Sequence, residues 1–222
     1  MHAIEKTGLS YNAQTMLEAR ARAWAVIDEL GTRVQPGMSE ADCRALLRTI
    51  LKAHGLLRGW HEAVVRVGRN TLKEYGNPSE ADVVLGADDL FFVDIGPVFG
   101  AAEADAGKTF VVGQDADMLR AATDVKTLWN DVRALWQSEH ITGAELYRFA
   151  ERQAQEMGWE LNLKRMSGHR IGDFPHEPCF DGLLSEVDIH PTSGLWILEM
   201  HIRHKTRPFG AFYEDLLVEE AR

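Results

Sequence analysis

Apolar positions in the first third of the chain recur with a helical period. From Thr15 to Leu30, Met16, Ala19, Ala23, Ala25, Val26 and Leu30 follow that spacing, and Gly31 is the expected stop. Gly37 breaks the chain before Ser39, an N-cap residue with Asp42 at the third helical position. A second helix is predicted over Glu40 to His54, with Ala41, Leu46, Leu47, Ile50 and Leu51 on one face and Gly55 at its end. The period then shortens. Residues 63–67 and 90–95 are short, apolar and rich in β-branched or aromatic side chains, as strands are, with a turn at 76–79 between them. Gly96, Pro97, Gly100 and Gly107 punctuate a further strand pair that ends at 109–113.

Helical spacing returns from about Asp115 to Glu139, through Leu119, Ala122, Val125, Leu128, Trp129 and Val132. Thr142 followed by Glu145 is a capping box, and it opens a helix running to Gly158. Residues 195–199 and 211–218 read as strands again. The order helix, helix, strands is thus written twice, without a sequence repeat or a linker between the halves. We expect one domain of the α+β class over residues 1–222, with residues 1–14 as a flexible N-terminal extension.

Composition narrows the function only by exclusion. The 222 residues are 45% hydrophobic and 26% charged, which suits a packed core and argues against disorder. A net charge of -10 disfavours phosphate backbones and anionic membranes, so neither nucleic acid nor membrane is an expected partner. No apolar run approaches the roughly 18 residues that span a bilayer. The N-terminal MHAIEKTGLSYNAQ lacks the apolar region of a secretory signal. Cys43 and Cys179 form no CxxC pair, in keeping with a reducing compartment, and the expected location is the cytoplasm.

Candidate chemistry lies in acids set within apolar strands. Asp94 follows Phe91, Phe92 and Val93; a carboxylate buried in such a run is costly unless something positive satisfies it. Asp105 lies 11 residues later, and two antiparallel strands joined by a short loop would set the pair side by side. Taken singly, each reads equally well as a turn residue. Glu199 and Glu214 repeat the pattern in the late strands, where one such acid could simply face solvent. Residues 167–178 interleave His169 and His176 with two glycines and two prolines; imidazole suits a transition metal there, though an ordinary polar loop could carry the same residues.

Together these motifs resemble the metallopeptidases of the pita-bread fold, a family that includes methionine aminopeptidases, aminopeptidase P, prolidase and the non-peptidase creatinase. The resemblance runs from about Val64 to Val218. It rests on Asp-x10-Asp at Asp94 and Asp105, on Gly-His-x-Ile-Gly-x3-His-Glu at residues 168–177, and on one Glu in each late strand. It implies two pseudo-symmetric helix-plus-antiparallel-strand halves around a curved sheet. It also implies two divalent ions, Mn²⁺, Fe²⁺ or Co²⁺ with Zn²⁺ as a further option, on Asp94, Asp105, His169, Glu199 and Glu214. Asp94 would hold one ion, His169 and Glu199 the other, and Asp105 and Glu214 would bridge them. The implied activity is that of an aminopeptidase or dipeptidase of the Xaa-Pro type, using a metal-bridging hydroxide on a small peptide. Glu199 would shuttle the proton and His176 would contact substrate and the developing oxyanion. Relatives suggest a homodimer.

The resemblance fails at one point. The family's peptidases carry a further histidine 17 or 18 residues before the first metal Asp, where this chain has Gly76 and Asn77 beside Glu74 and Tyr75. The nearest upstream histidine, His61, is too far for a register shift, so Tyr75 is the expected substrate-side donor. Two alternatives follow: a non-peptidase member, a creatinase-like hydrolase or a lyase acting on a small molecule, and a catalytically inactive metal-binding protein. Of the remaining residues, Trp60 and Trp196 are candidates for lining the site. His201 and His204 read as an exposed polar turn running into residues 205–208.

Overall fold

Helix α1 (Ala13–Arg33) begins where the Asn12 side chain accepts a hydrogen bond from the Thr15 N–H at 3.0 Å. It does not stop at Gly31, which lies against the Phe110 ring; it runs to Arg33, with Val34 extended beyond it. Helix α2 (Glu40–Ala53) carries the predicted capping box, with Ser39 and Asp42 each satisfying the other's backbone N–H. Strands β1 (Val64–Val67) and β2 (Asp89–Ile95) follow, then a small hairpin of β3 (Val98–Phe99) and β4 (Ala102–Glu103), then β5 (Ala106–Val112). The second half repeats the plan. Helix α3 (Ala116–Ser138) is capped by Asp115 and α4 (Gly143–Glu156) by the Thr142/Glu145 box. Strands β6 (Glu160–Leu161), β7 (His169–Arg170), β8 (Trp196–Arg203) and β9 (Gly210–Leu216) complete the chain. This computed structural model describes residues 2–176 and 178–219.

Seven strands form one sheet in the order β1-β2-β5-β9-β8-β6, with β7 also paired to β8, and the pairings are antiparallel. The expected halves are β1-β2-β5 under α1 and α2, and β9-β8-β6 under α3 and α4, meeting where β5 pairs with β9. Each half has its own apolar cluster, one around Ile27, Leu47 and Phe91, the other around Leu128, Trp159 and Trp196. Burying such faces is the main favourable term in forming the sheet. Among the described residues no helix is long and apolar enough to cross a membrane.

The expected flexible extension is corrected for residues 2–14. Glu5 is fully buried, and its carboxylate accepts hydrogen bonds from Trp196 Nε1 at 2.7 Å and from the Thr192 N–H and hydroxyl at 2.8 Å. Arg170 donates to the carbonyls of Ile4, Glu5 and Lys6, and the Gly8 N–H donates to Asp173 Oδ2 at 2.8 Å. The polar segment lacks local periodicity because its order comes from these distant partners. Met1 lies outside the described residues. Replacing Glu5 by Ala strips partners from the indole and from Thr192, and should cost about 2–4 kcal/mol of stability. Urea unfolding of the variant measures this; an unchanged midpoint would refute the anchoring role.

Candidate metal centre

Strand register brings three acids into one transverse row. Asp94 on β2 pairs with Gly107 on β5, Gly107 pairs with Glu214 on β9, and Glu214 pairs with Glu199 on β8. Paired residues point to the same face of a sheet, so the three carboxylates converge. Gly107 keeps the row open: a Cβ there would sit 2.9 Å from Glu214 Oε1 and 2.5 Å from the Phe212 ring. Asp105, two residues earlier, turns to the same face just before β5 begins. All four acids are buried. Tyr147 fixes the backbone at Glu199, donating to its carbonyl at 2.9 Å and accepting from its N–H at 3.1 Å.

Two imidazoles close the row. His169 on β7 is held beside β8 by pairing with Ile197. Its Nδ1 lies 2.9 Å from the Arg170 carbonyl and its Nε2 lies 2.9 Å from Asp105 Oδ2. The second is His61, which sequence spacing had excluded. Its Nε2 lies 3.2 Å from Asp105 Oδ1, and 3.4 Å from Asp94 Oδ1 at an ion-pair distance without hydrogen-bond alignment. The segment before β1 delivers it. Trp60 donates through its backbone to Gly96 O and through Nε1 to Ala104 O, both at 2.9 Å, stapling the segment to the loop that leaves β2.

Burial and mutual repulsion dominate the electrostatics of the cluster. Burial raises the Glu199 carboxyl to about 8, with Asp94 and Asp105 adding to it against His169 and the Gly168 N–H. Burial likewise raises Asp94 to about 6, and holds Glu214 well above the usual carboxylate range beside Asp105, Asp94 and Glu199. Burial would raise Asp105 too, but His61 and His169 outweigh it and hold that carboxyl at about 2. For His61 burial works downward, and Asp94 and Asp105 overcome it to raise the ring to about 10. Asp94 Oδ1 and Glu214 Oε1 are buried with no hydrogen-bond partner among the described residues. Such orphaned oxygens are expensive unless a proton, a water or a cation satisfies them, and a divalent cation can satisfy several at once. In two sets, His61-Asp94-Asp105 and Asp105-His169-Glu214, one donor atom per residue lies within 4.8 Å of the others. The donors fit metal ions.

A cavity of about 120 Å³ opens on this cluster, lined also by Trp60, Tyr75 and Arg165. Tyr75 stands partly exposed at its wall with its ring centroid 5.9 Å from that of His61. Burial, then Asp94, Glu62 and Asp105, raise the Tyr75 phenol. His176 lies beyond Trp60, with ring centroids 5.0 Å apart, and 6.0 Å from His169. Its Nδ1 pairs with Glu103, a buried acid on β4 that sequence reading missed; nothing in the alanine-rich stretch around it signals the role. Glu177, the last residue of the quoted motif, lies outside the described residues.

Two expectations are corrected. Trp196 is fully buried and donates to Glu5 rather than lining the cavity. His201 is not in an exposed turn, because β8 continues to Arg203. It is fully buried, with Nε2 2.7 Å from the Thr71 carbonyl and Nδ1 3.0 Å from Asn162 Nδ2, and burial lowers it to about 4.

A profile of metallopeptidase family M24 matches residues 14–218. Methionine aminopeptidase 2 of Bacillus subtilis is 25% identical over 159 residues, which is 68% of this chain and 61% of that relative. The chain therefore spans less than two thirds of the curated relative it matches. Among solved structures, prolidase from Pyrococcus horikoshii superposes with a TM-score of 0.75 at 18% identity, over 99% of this chain and 65% of its own. Methionine aminopeptidase from Thermotoga maritima gives 0.74 at 16%, over 97% of this chain and 99% of its own. X-Pro aminopeptidase from the same organism gives 0.73 at 18%, over 94% and 61%. At these identities the structural likeness is one of fold, and the fold is the pita-bread arrangement expected above.

Proposed function

The chain belongs to metallopeptidase family M24, and from that premise we propose that it is a two-metal hydrolase, an aminopeptidase or dipeptidase of the Xaa-Pro type. One observation carries the reading: three acids in a single register row, with two buried carboxylate oxygens lacking any hydrogen-bond partner among the described residues. Asp94 would hold one ion, His169 and Glu199 the other, and Asp105 and Glu214 both. An oxygen-rich set of this kind suits Mn²⁺, Fe²⁺ or Co²⁺, and admits Zn²⁺. Ions bound there supply Lewis acidity, lowering the pKa of water and polarising the scissile carbonyl.

The side chains supply the rest. The Gly168 N–H donates to Glu199 Oε2 at 3.1 Å and so orients that carboxylate. Glu199 would take a proton from the attacking water and return it to the leaving nitrogen. Glu103 engages His176 Nδ1, leaving Nε2 to meet the carbonyl oxygen as negative charge develops on it. Tyr75 offers a hydroxyl at the cavity wall, where the family's peptidases place an imidazole.

That replacement of imidazole by phenol favours a second reading, the same centre acting on a small non-peptide substrate. Metal analysis together with a dipeptide panel separates the two. We expect two equivalents of Mn, Fe or Co per chain and turnover of Xaa-Pro dipeptides ahead of Met-Xaa. A fully metallated protein that hydrolyses neither would overturn the peptidase reading in favour of the second. One equivalent or less of tightly held metal would overturn both.

A further inference from the structure

We infer that His61 is itself a metal ligand, completing the ion on the Asp94 side as His169 completes the ion on the Glu199 side. The centre then has six protein ligands, one imidazole to each ion. This rests on the two-metal reading above.

The two histidines make the same contacts from opposite ends of Asp105. His169 Nε2 faces Oδ2 and His61 Nε2 faces Oδ1, at 2.9 and 3.2 Å. Each ring sets its Nδ1 2.9 Å from the backbone carbonyl of the next residue, Arg170 in one case and Glu62 in the other. A carbonyl oxygen can only accept, so Nδ1 carries the proton in both rings and the lone pair of neutral imidazole lies on Nε2. In the metal-free protein a proton on Nε2 lies between the ring and these two carboxylates, and a divalent cation can take that proton's place, bound by the ring's lone pair and both acids. Donation of the distal N–H to a backbone carbonyl is the usual way a metal-binding histidine is oriented.

The packing around His61 is committed to this pose. Its side chain is 8% exposed, and the Trp60 ring stands edge-on to it with centroids 4.5 Å apart. A Cβ on Gly96 would sit 2.0 Å from its Cδ2, so the loop leaving β2 admits the ring only because that position is bare. A histidine meant for substrate would not need its nitrogen set between Asp94 and Asp105. A nitrogen donor on each ion also shifts preference from Mn²⁺ toward Co²⁺ and Zn²⁺.

The test is X-ray absorption and metal titration of cobalt-reconstituted protein, comparing wild type with His61→Ala and the hydrogen-bonding His61→Gln. In wild type we expect two equivalents and an average of about one imidazole per cobalt, falling to about half in either variant as one site weakens by about 100-fold or more. Circular dichroism in EDTA should match wild type for at least one variant, and His61→Gln serves if His61→Ala fails to fold. Two equivalents with unchanged affinity and unchanged imidazole number in the variants would overturn the inference while leaving the two-metal reading standing. A single equivalent in wild type would overturn both.

Discussion

Asp105→Asn is expected to lower turnover by about a thousandfold or more, roughly 4 kcal/mol of transition-state stabilisation, and to leave at most one metal ion bound. Asp105 is 3% exposed and its two oxygens face two different imidazoles, His61 and His169. Among the described residues, none of Asp94, Glu199 and Glu214 has its two oxygens facing two imidazoles. Asparagine keeps the shape and can hydrogen-bond to one neutral imidazole nitrogen through its amide, so the metal-free fold should survive. It cannot supply a second anionic oxygen, and an amide NH₂ has no lone pair to offer an ion. Elemental analysis after desalting, steady-state kinetics and a thermal melt in EDTA distinguish these effects. Full metal content with unchanged turnover would remove Asp105 from the centre altogether.

The second large effect is a reversal in how stability depends on pH. Asp94, Glu199 and Glu214 have folded-state values above those of an unfolded chain, mainly through burial. Each therefore favours the folded state while protonated, and that contribution is lost as pH rises through about 6 for Asp94 and about 8 for Glu199. His61, raised to about 10 by Asp94 and Asp105 against its own burial, acts in the same direction and loses its contribution last. Asp105, held down at about 2, opposes them, but its contribution is lost only in strong acid. Metal-stripped protein should thus melt at a lower temperature at about pH 9 than at about pH 6. With excess Mn²⁺ or Co²⁺ the order should invert, because the ligands must be deprotonated to bind and binding grows stronger with pH. An ion at about 100 times its dissociation constant adds about 2.7 kcal/mol. Melts at the two pH values, with EDTA and with metal, make four measurements. Parallel pH trends in both conditions would show that the buried acids do not form the ion site.

Gly107 and Glu214 show where sequence reading reaches the site and where it stops. Asp94, Asp105, Glu199 and Glu214 stood out as acids inside apolar strands, and the β2–β5 pair was expected. That Glu214 and Glu199 lie in the same row as Asp94 follows from the register of β5 on β9 and β9 on β8, which spacing alone does not specify. Tyr75, expected as a substrate-side donor, lines the cavity. His61, which that spacing excluded, stands at the centre.

The sequence by itself determined the four helices, two of their capping boxes and the long strand segments, because those depend on neighbours a few residues away. Ser39 with Asp42 and Thr142 with Glu145 form their capping boxes across three residues, and apolar periodicity repeats within a turn or two. Tertiary structure alone decided the partners that arrive from far along the chain. His61 reaches Asp105 across 44 residues, Glu103 reaches His176 across 73, and Glu5 reaches Trp196 across 191. Contacts of that span leave no local pattern: each residue is an ordinary polar side chain in its own segment, and only sheet closure and core packing give it a buried partner.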